Sequence, residues 1–257
     1  MPKLLFLITI SFLSFFTRTQ ENISITYTGN MGVYISGPQS SVLIDGLHTQ
    51  YGDDYLFPTE ELVHKITSQL RPNAILFTHY HGDHYSKKLS ESYLNSNKKS
   101  VLFGANQITK KIEASNNQVY SIQTEDYTKQ KFELGSIEIT GIKINHAGKR
   151  HVTVENVGYI VNINNTKILH VGDTNWLEEI DLFDQLKLSK EEIDIAILPY
   201  WMLIQENASE LIKKYINPKQ VIATHISPRI KNNELSELKR RYPKTHFFTQ
   251  LEQQIQL

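Results

Sequence analysis

The stretch Thr78-His79-Tyr80-His81-Gly82-Asp83-His84 places three imidazoles and a carboxylate directly after the apolar run Ala74-Ile75-Leu76-Phe77. Alternate residues of an extended chain point the same way, so His79 and His81 can converge on one cation. Where the chain then turns towards a helix, Asp83 and His84 can reach a second. The chain has only ten His, so three within six residues at the end of a buried strand mark a metal-binding constellation rather than scattered surface histidines. It has no Cys, which removes thiolate ligands, disulfides and Cys nucleophiles together. Any cation is therefore held by nitrogen and oxygen. That donor set suits Zn²⁺, and Mn and Fe accept similar ligands.

The pattern His-x-His-x-Asp-His after a strand resembles the signature of the metallo-β-lactamase superfamily. The resemblance extends over nearly all of residues 20–257, because it implies further single ligands downstream, each at a strand end, and candidates stand in order: His146 follows residues 141–145, Asp173 follows Ile168-Leu169-His170-Val171-Gly172, and His225 follows residues 221–224. The resemblance implies an α+β fold, a four-layer αββα sandwich, and a site for two divalent metal ions. It assigns His79, His81 and His146 to the first ion and Asp83, His84 and His225 to the second. Asp173, in Gly172-Asp173-Thr174, would bridge them, because two dications about 3.5–4 Å apart need negative charge between them.

Other residues compete for roles. His151 lies close to His146, which is preferred because it sits at the predicted strand end. Asp45, in Leu43-Ile44-Asp45-Gly46, corresponds to an Asp beneath the metals in look-alike proteins, where it would accept the free N–H of a ligand histidine. The alternative for Asp45 is a turn residue before Gly46. His170 could face the site or the sheet core, and the core is preferred. His48, His64 and His246 have no ligand-like context and are expected to be surface or structural.

A metal-bound water with a pKa near about 7 supplies hydroxide at neutral pH. The expected reaction is attack by a metal-bridging hydroxide on carbonyl carbon or phosphorus, with Asp83 or His225 managing the proton. Asp173, Asp83-His84 and His225 look closer to the phosphodiesterase and lactonase branches than to true β-lactamases, which usually carry Cys or another residue at the Asp173 position. A small ester, lactone or phosphodiester is the expected substrate. Pro199-Tyr200-Trp201-Met202 would supply an aromatic wall or pack against a helix, with neither preferred. The alternative function, a noncatalytic metal- or partner-binding protein on the same fold, predicts a missing ligand. A redox enzyme with two irons would need a flavin partner domain, for which 257 residues leave no room.

The elements that must position these groups can be read from periodicity. Strands are predicted over residues 23–28, 32–35, 41–44, 74–77, 101–103, 119–122, 137–144, 157–163, 167–171, 193–198, 221–223 and 246–248. Thr59 precedes a helical pattern with Leu62, Ile66 and Leu70 on one face. Further helices are predicted after His84 and over residues 108–114, 208–215 and 234–241. Asn164-Asn165 is a predicted turn. The pairings in the middle of the chain read as antiparallel. No repeat or linker marks a second domain.

Lys plus Arg equals Asp plus Glu, 27 of each, so no net field favours nucleic acid or an anionic membrane, and a small-molecule substrate is expected. Lys3 and the apolar run over residues 4–16 have the layout of a secretory signal, too short to span a bilayer. Residues 1–19 are predicted to be a signal peptide, giving a secreted or periplasmic product without stable membrane insertion. An uncleaved N-terminal anchor is the alternative.

Overall fold

The computed structural model describes residues 22–177 and 180–257, so the predicted signal peptide lies outside the described residues. Six strands build most of one sheet: β1 (Ser24–Gly29), β2 (Gly32–Ser36), β3 (Ser41–Ile44), β4 (Ala74–Leu76), β5 (Val101–Ala105) and β6 (Val119–Ile122). The second sheet takes β7 (Gln130–Leu134), β8 (Ile137–Lys143), β9 (Val157–Ile163), β10 (Thr166–His170), β11 (Ile195–Pro199), β12 (Gln220–Thr224) and β13 (Thr245–Phe247). A last strand, β14 (Gln254–Gln256), returns to pair with β1. The strand orders are β14-β1-β2-β3-β4-β5-β6 and β13-β12-β11-β10-β9-β8-β7.

Period-two alternation sorts the side chains between layers. Ile25, Val33, Val42, Ile44 and Leu76 meet Ile139, Tyr159, Ile168, Ile195 and Ile197 in the core between the sheets. The opposite faces, with Leu43, Ile75 and Leu102 on one sheet and Leu169, Ala196 and Leu198 on the other, are covered from outside. Helices α1 (Glu60–His64) and α2 (Lys87–Ser96) lie over the first sheet, with α3 (Asn106–Thr109) after β5. The cover of the second is α4 (Ile180–Leu186), α5 (Ala208–Tyr215) and α6 (Asn232–Arg241). The result is the expected α+β, four-layer αββα sandwich.

Thr59 caps α1 by accepting from the Leu62 amide at 3.1 Å, and the helix runs on as a π-helical segment over Lys65–Leu70. Leu62 and Ile66 are buried on the predicted face. Asn164 and Asn165 form the β9–β10 turn with φ of 49° and 60°.

Two sequence expectations are corrected. The helix predicted over residues 108–114 is the single turn α3, because the amides of Lys111 and Ile112 bond back three residues to Ile108 and Thr109 and tighten the chain out of the helix. The antiparallel pairing predicted for the middle holds for β8 to β10, but β5 and β6 run parallel, as do β3–β4–β5 and β10–β11–β12–β13. These parallel strands present their C-terminal ends along one rim, the usual ligand edge of such sheets.

Candidate metal centre

The rim gathers residues that are far apart in sequence. The loop after β4 carries His79, His81, Asp83 and His84, while the ends of β8, β10 and β12 lead to His146, Asp173 and His225. Ligand-type atoms of His79, His81 and His146 all lie within 4.8 Å of one another, and those of Asp83, His84, Asp173 and His225 do the same. All seven residues singled out in the sequence thus stand in two adjoining groups. His151 stands outside both, with its ring 4.5 Å from that of His146 and 5.0 Å from that of His81.

Asp173 faces both groups. Its Oδ1 is 3.3 Å from His84 Nε2, and its Oδ2 is 3.3 Å from His225 Nε2 and 3.9 Å from His146 Nε2. Charge-assisted hydrogen bonds would be about 2.7–2.9 Å. Donor atoms that share one small cation at about 2.0–2.1 Å in a tetrahedral arrangement stand about 3.3 Å apart. Nε2 of His79, His146 and His225 and Oδ1 of Asp173 are buried with no hydrogen-bond partner. Buried polar atoms are rarely left unpaired, so four orphans aimed into one space fit cation ligands.

The surroundings fix how the rings present themselves. Asp45, fully buried, accepts from the Thr78 amide at 2.8 Å, the Thr78 hydroxyl at 2.6 Å and His84 Nδ1 at 2.9 Å. A hydroxyl has one proton, and that of Thr78 goes to Asp45. Thr78 Oγ1, 3.0 Å from His79 Nδ1, therefore accepts from that ring. His146 Nδ1 donates to the Ala147 carbonyl at 2.8 Å. In the His79 and His146 rings Nδ1 carries the proton and Nε2 is left with its lone pair for the site, while the Nδ1 bond of His84 to Asp45 turns its Nε2 to the site, where a cation would take the place of the second proton. Asp45 is thus the carboxylate beneath the histidines, not a turn residue alone.

The protonation pattern of the metal-free chain separates the two groups. Burial holds His79 well below the usual imidazole range, lowers His146, and lowers His81 to about 4 with help from His146. A neutral trio of imidazoles is ready to bind a cation. Burial opposes charge on His84, but Asp173 and Asp45 outweigh it and raise its pKa well above the usual value. Burial likewise opposes ionisation of Asp173, and His84 and His225 overcome it and hold the carboxyl well below the usual range.

The two sheets are fastened together here. The buried Tyr159 hydroxyl donates to the Phe77 carbonyl at 2.8 Å, and the Val157 amide donates to the Thr78 carbonyl at 2.8 Å. Asn156 Nδ2 donates to the carbonyls of Ile144 and Val171 at 2.8 and 3.2 Å, joining the chain segments that deliver His146 and Asp173. Gly172 has φ +62°, and a Cβ there would lie 2.5 Å from Asn156 Oδ1 and 2.8 Å from Thr78 Cβ, so only glycine fits before Asp173.

His170 donates from Nε2 to the Met31 carbonyl at 3.0 Å and accepts the Gly172 amide on Nδ1 at 3.3 Å, which puts it in the core. His48 is fully buried, whereas His64 and His246 are exposed. Trp201, from the Pro199–Met202 segment, does line the cleft, with its ring 4.7 Å from His225 and Nε1 bonded to the Thr174 carbonyl at 2.7 Å. Tyr55 faces the same imidazole at 5.2 Å.

Sequence reasoning missed Asn30, Tyr51 and Tyr55. Asn30 sits in the β1–β2 turn with φ +49°, and its own carbonyl accepts the His225 amide at 2.8 Å. Its signal was an Asn in Thr28-Gly29-Asn30-Met31-Gly32, a turn composition that tolerates positive φ. Tyr51 rests on the metal motif, since a Cβ on Gly82 would come within 2.8 Å of its ring. Arg229 holds the intervening Asp53 and Asp54 at 3.1 and 3.0 Å, pinning this aromatic loop beside the cleft.

A Beta-lactamase superfamily domain matches residues 18–225. The chain is 30% identical over 181 residues to a UPF0173 metal-dependent hydrolase of Natranaerobius thermophilus, covering 68% of this chain and 76% of that protein. It is 23% identical over 210 residues to a UPF0173 metal-dependent hydrolase of Pyrococcus furiosus, covering 79% and 84%. Among solved structures, the fold is similar to that of Igni18, a metallo hydrolase from Ignicoccus hospitalis, with a TM-score of 0.60 at 16% identity over 92% of this chain and 98% of that one.

Proposed function

Because the chain belongs to the metallo-β-lactamase superfamily and is a metal-dependent hydrolase, we propose that it holds two divalent ions and hydrolyses a small ester, lactone or phosphodiester. The observation that carries this reading is the set of orphaned buried atoms, Nε2 of His79, His146 and His225 and Oδ1 of Asp173, in two adjoining ligand groups. His79, His81 and His146 would hold one ion, Asp83, His84 and His225 the other, with Asp173 between them. The nitrogen and oxygen donors favour zinc, with manganese or iron as chemically acceptable substitutes. When bound, a pair of such ions supplies Lewis acidity at neutral pH.

The protein's own groups do the rest. Thr78 and Asp45 keep the His79 and His84 rings turned to the site. Asp83, whose carboxylate keeps a second oxygen, would move the proton on the side where Trp201 and Tyr55 approach His225. The two aromatic rings orient the substrate and exclude water. A small substrate fits the open cleft of about 460 Å³ beside these rings. The neutral charge balance gives nucleic acid no general attraction.

We place the protein outside the cytoplasm, on the strength of Lys3 and the apolar run that follows it. Among the described residues no helix is long and apolar enough to cross a membrane.

The test combines metal analysis with a hydrolysis panel of lactones, phosphodiesters, thioesters and β-lactams. Two ions per chain and turnover of an ester, lactone or phosphodiester are expected, with turnover lost in Asp173→Ala. Undiminished turnover in that variant refutes the mechanism. Bound metal without turnover of any class favours a noncatalytic binding protein.

A further inference from the structure

The cleft has two walls of opposite character. On the side of Asp83 and His225 stand the rings of Tyr55 and Trp201. Past His146, on the other side, the chain makes a 3₁₀ turn over Lys149–His151 that puts Arg150 and His151 on the cleft lining. The turn is set by its backbone, since the His151 amide donates to the Gly148 carbonyl at 2.8 Å and the Val154 amide to the His151 carbonyl at 2.9 Å.

Arg150 Nε donates to His151 Nε2 at 2.8 Å. His151 is itself braced against the His146 and His81 rings at 4.5 and 5.0 Å. The Nε contact steers the exposed guanidinium at the cleft rim, and its terminal nitrogens form a donor fork suited to a carboxylate or phosphate. Among the described residues the ion-paired arginines are Arg229, with Asp53 and Asp54, and Arg240, with Glu237; Arg150 is in none of these pairs. A cation at the rim of a metal site, without a carboxylate of its own, has charge left for a ligand.

We propose that Arg150, buttressed by His151, anchors an oxyanionic group of the substrate, so that the enzyme selects small acidic esters, lactones or phosphodiesters whose flat apolar part lies against Tyr55 and Trp201. This rests on the hydrolase reading above and narrows it. The acidic group is a carboxylate beside a scissile ester, or the phosphate of a diester itself. The shared chemistry is a planar or tetrahedral oxyanion presented to one guanidinium. His151 acts here as a positioning residue, holding Arg150 rather than serving as an alternative to His146.

Zinc-loaded full-length protein would be assayed with p-nitrophenyl acetate, its acidic counterpart mono-p-nitrophenyl succinate, and bis-p-nitrophenyl phosphate. The expected kcat/KM ratio of succinate ester to acetate is about tenfold or more, consistent with a hydrogen bond to a charged group. Arg150→Gln should collapse that ratio mainly through KM, Arg150→Lys should recover part of it, and His151→Ala should weaken it in the same direction. The phosphodiester arm distinguishes the two sources: a larger loss there than with the succinate ester assigns the anchor to phosphate. A ratio near one in the parent protein, or one unmoved by Arg150→Gln, overturns the proposal.

A binding arm separates this outcome from failure of the hydrolase reading. Succinate and inorganic phosphate would be titrated by tryptophan fluorescence, Trp201 being on the cleft wall. If no probe is turned over, the hydrolase reading fails, and equal anion affinity in the parent and Arg150→Gln then also refutes the anchor. Weakening by about tenfold in Arg150→Gln supports it.

Discussion

The side-chain amide of Asn30 donates to the Asp83 carboxylate at 3.0 Å and to the Asp83 carbonyl at 3.1 Å, 53 residues away in sequence. The Asn30 carbonyl meanwhile receives the His225 amide. One turn residue therefore aligns ligands contributed by both sheets. Asn30→Gly keeps the left-handed backbone but deletes the amide, and is expected to lower metal affinity by about 10–100-fold, as loss of a ligand-orienting partner does. Chelator competition measures this. Affinity equal to that of the parent would show that Asn30 matters only as a turn.

Asp45→Ala removes the acceptor for the Thr78 amide, the Thr78 hydroxyl and His84 Nδ1. Each stranded buried donor costs about 1–3 kcal/mol, so urea unfolding of the metal-free protein should show a loss of about 3 kcal/mol or more. Metal affinity should fall in parallel, because both His79 and His84 lose their tether. A variant as stable as the parent would contradict the buried network.

Gly172→Ala drives a methyl group towards Asn156 and Thr78 at a φ that L residues avoid. Loss of about 2 kcal/mol or more in unfolding free energy is expected, with metal binding weakened because Asp173 follows directly. Chemical denaturation and metal titration of one preparation measure both.

Much of this was legible in the sequence, for a physical reason. Residues 79–84 are contiguous and follow a buried strand, so their convergence needs no tertiary knowledge. His146, Asp173 and His225 were found because the family resemblance implies single ligands at later strand ends, and each of them ends an apolar run. Asn30 and Tyr55 were not, since their roles exist only once the β1–β2 turn and the loop before α1 are folded across the rim. The strands β7 and β14 escaped notice because they carry few strongly apolar residues: Gln130-Lys131-Phe132-Glu133-Leu134 and Gln254-Ile255-Gln256 lie at or near sheet edges. Parallel pairing was missed because alternation within a strand does not reveal the direction of its neighbour.

Burial, with help from His84 and against the pull of Asp45, lowers the pKa of His48 to about 3. The folded-state value lies below the unfolded one, so the unfolded chain takes up a proton first as the medium is acidified. The stabilising effect is complete above pH about 6.5 and declines as pH falls towards 3. At pH 5 this group alone should cost the metal-free protein about 2 kcal/mol relative to neutral pH. Urea titrations at pH 7.5 and 5 should show a smaller difference for His48→Leu than for the parent. An identical difference would mean that His48 is not held neutral.

Removing the metal with a chelator should lower the melting temperature, because a ligand at a hundred times its dissociation constant adds about 2.7 kcal/mol. Differential scanning calorimetry with and without zinc checks this. No shift would mean that the two His/Asp groups bind no ion in the folded state.

The bonds from Tyr159 to Phe77 and from Val157 to Thr78 give the sandwich a further property. If one layer slid against the other, it would pull Thr78 with it, and the imidazoles that Thr78 and Asp45 steer would lose their aim before either layer came apart. Activity in this architecture is therefore a sensitive gauge of interlayer alignment, so that a substitution deep between the sheets, far from the rim, can silence the enzyme while leaving its secondary structure intact.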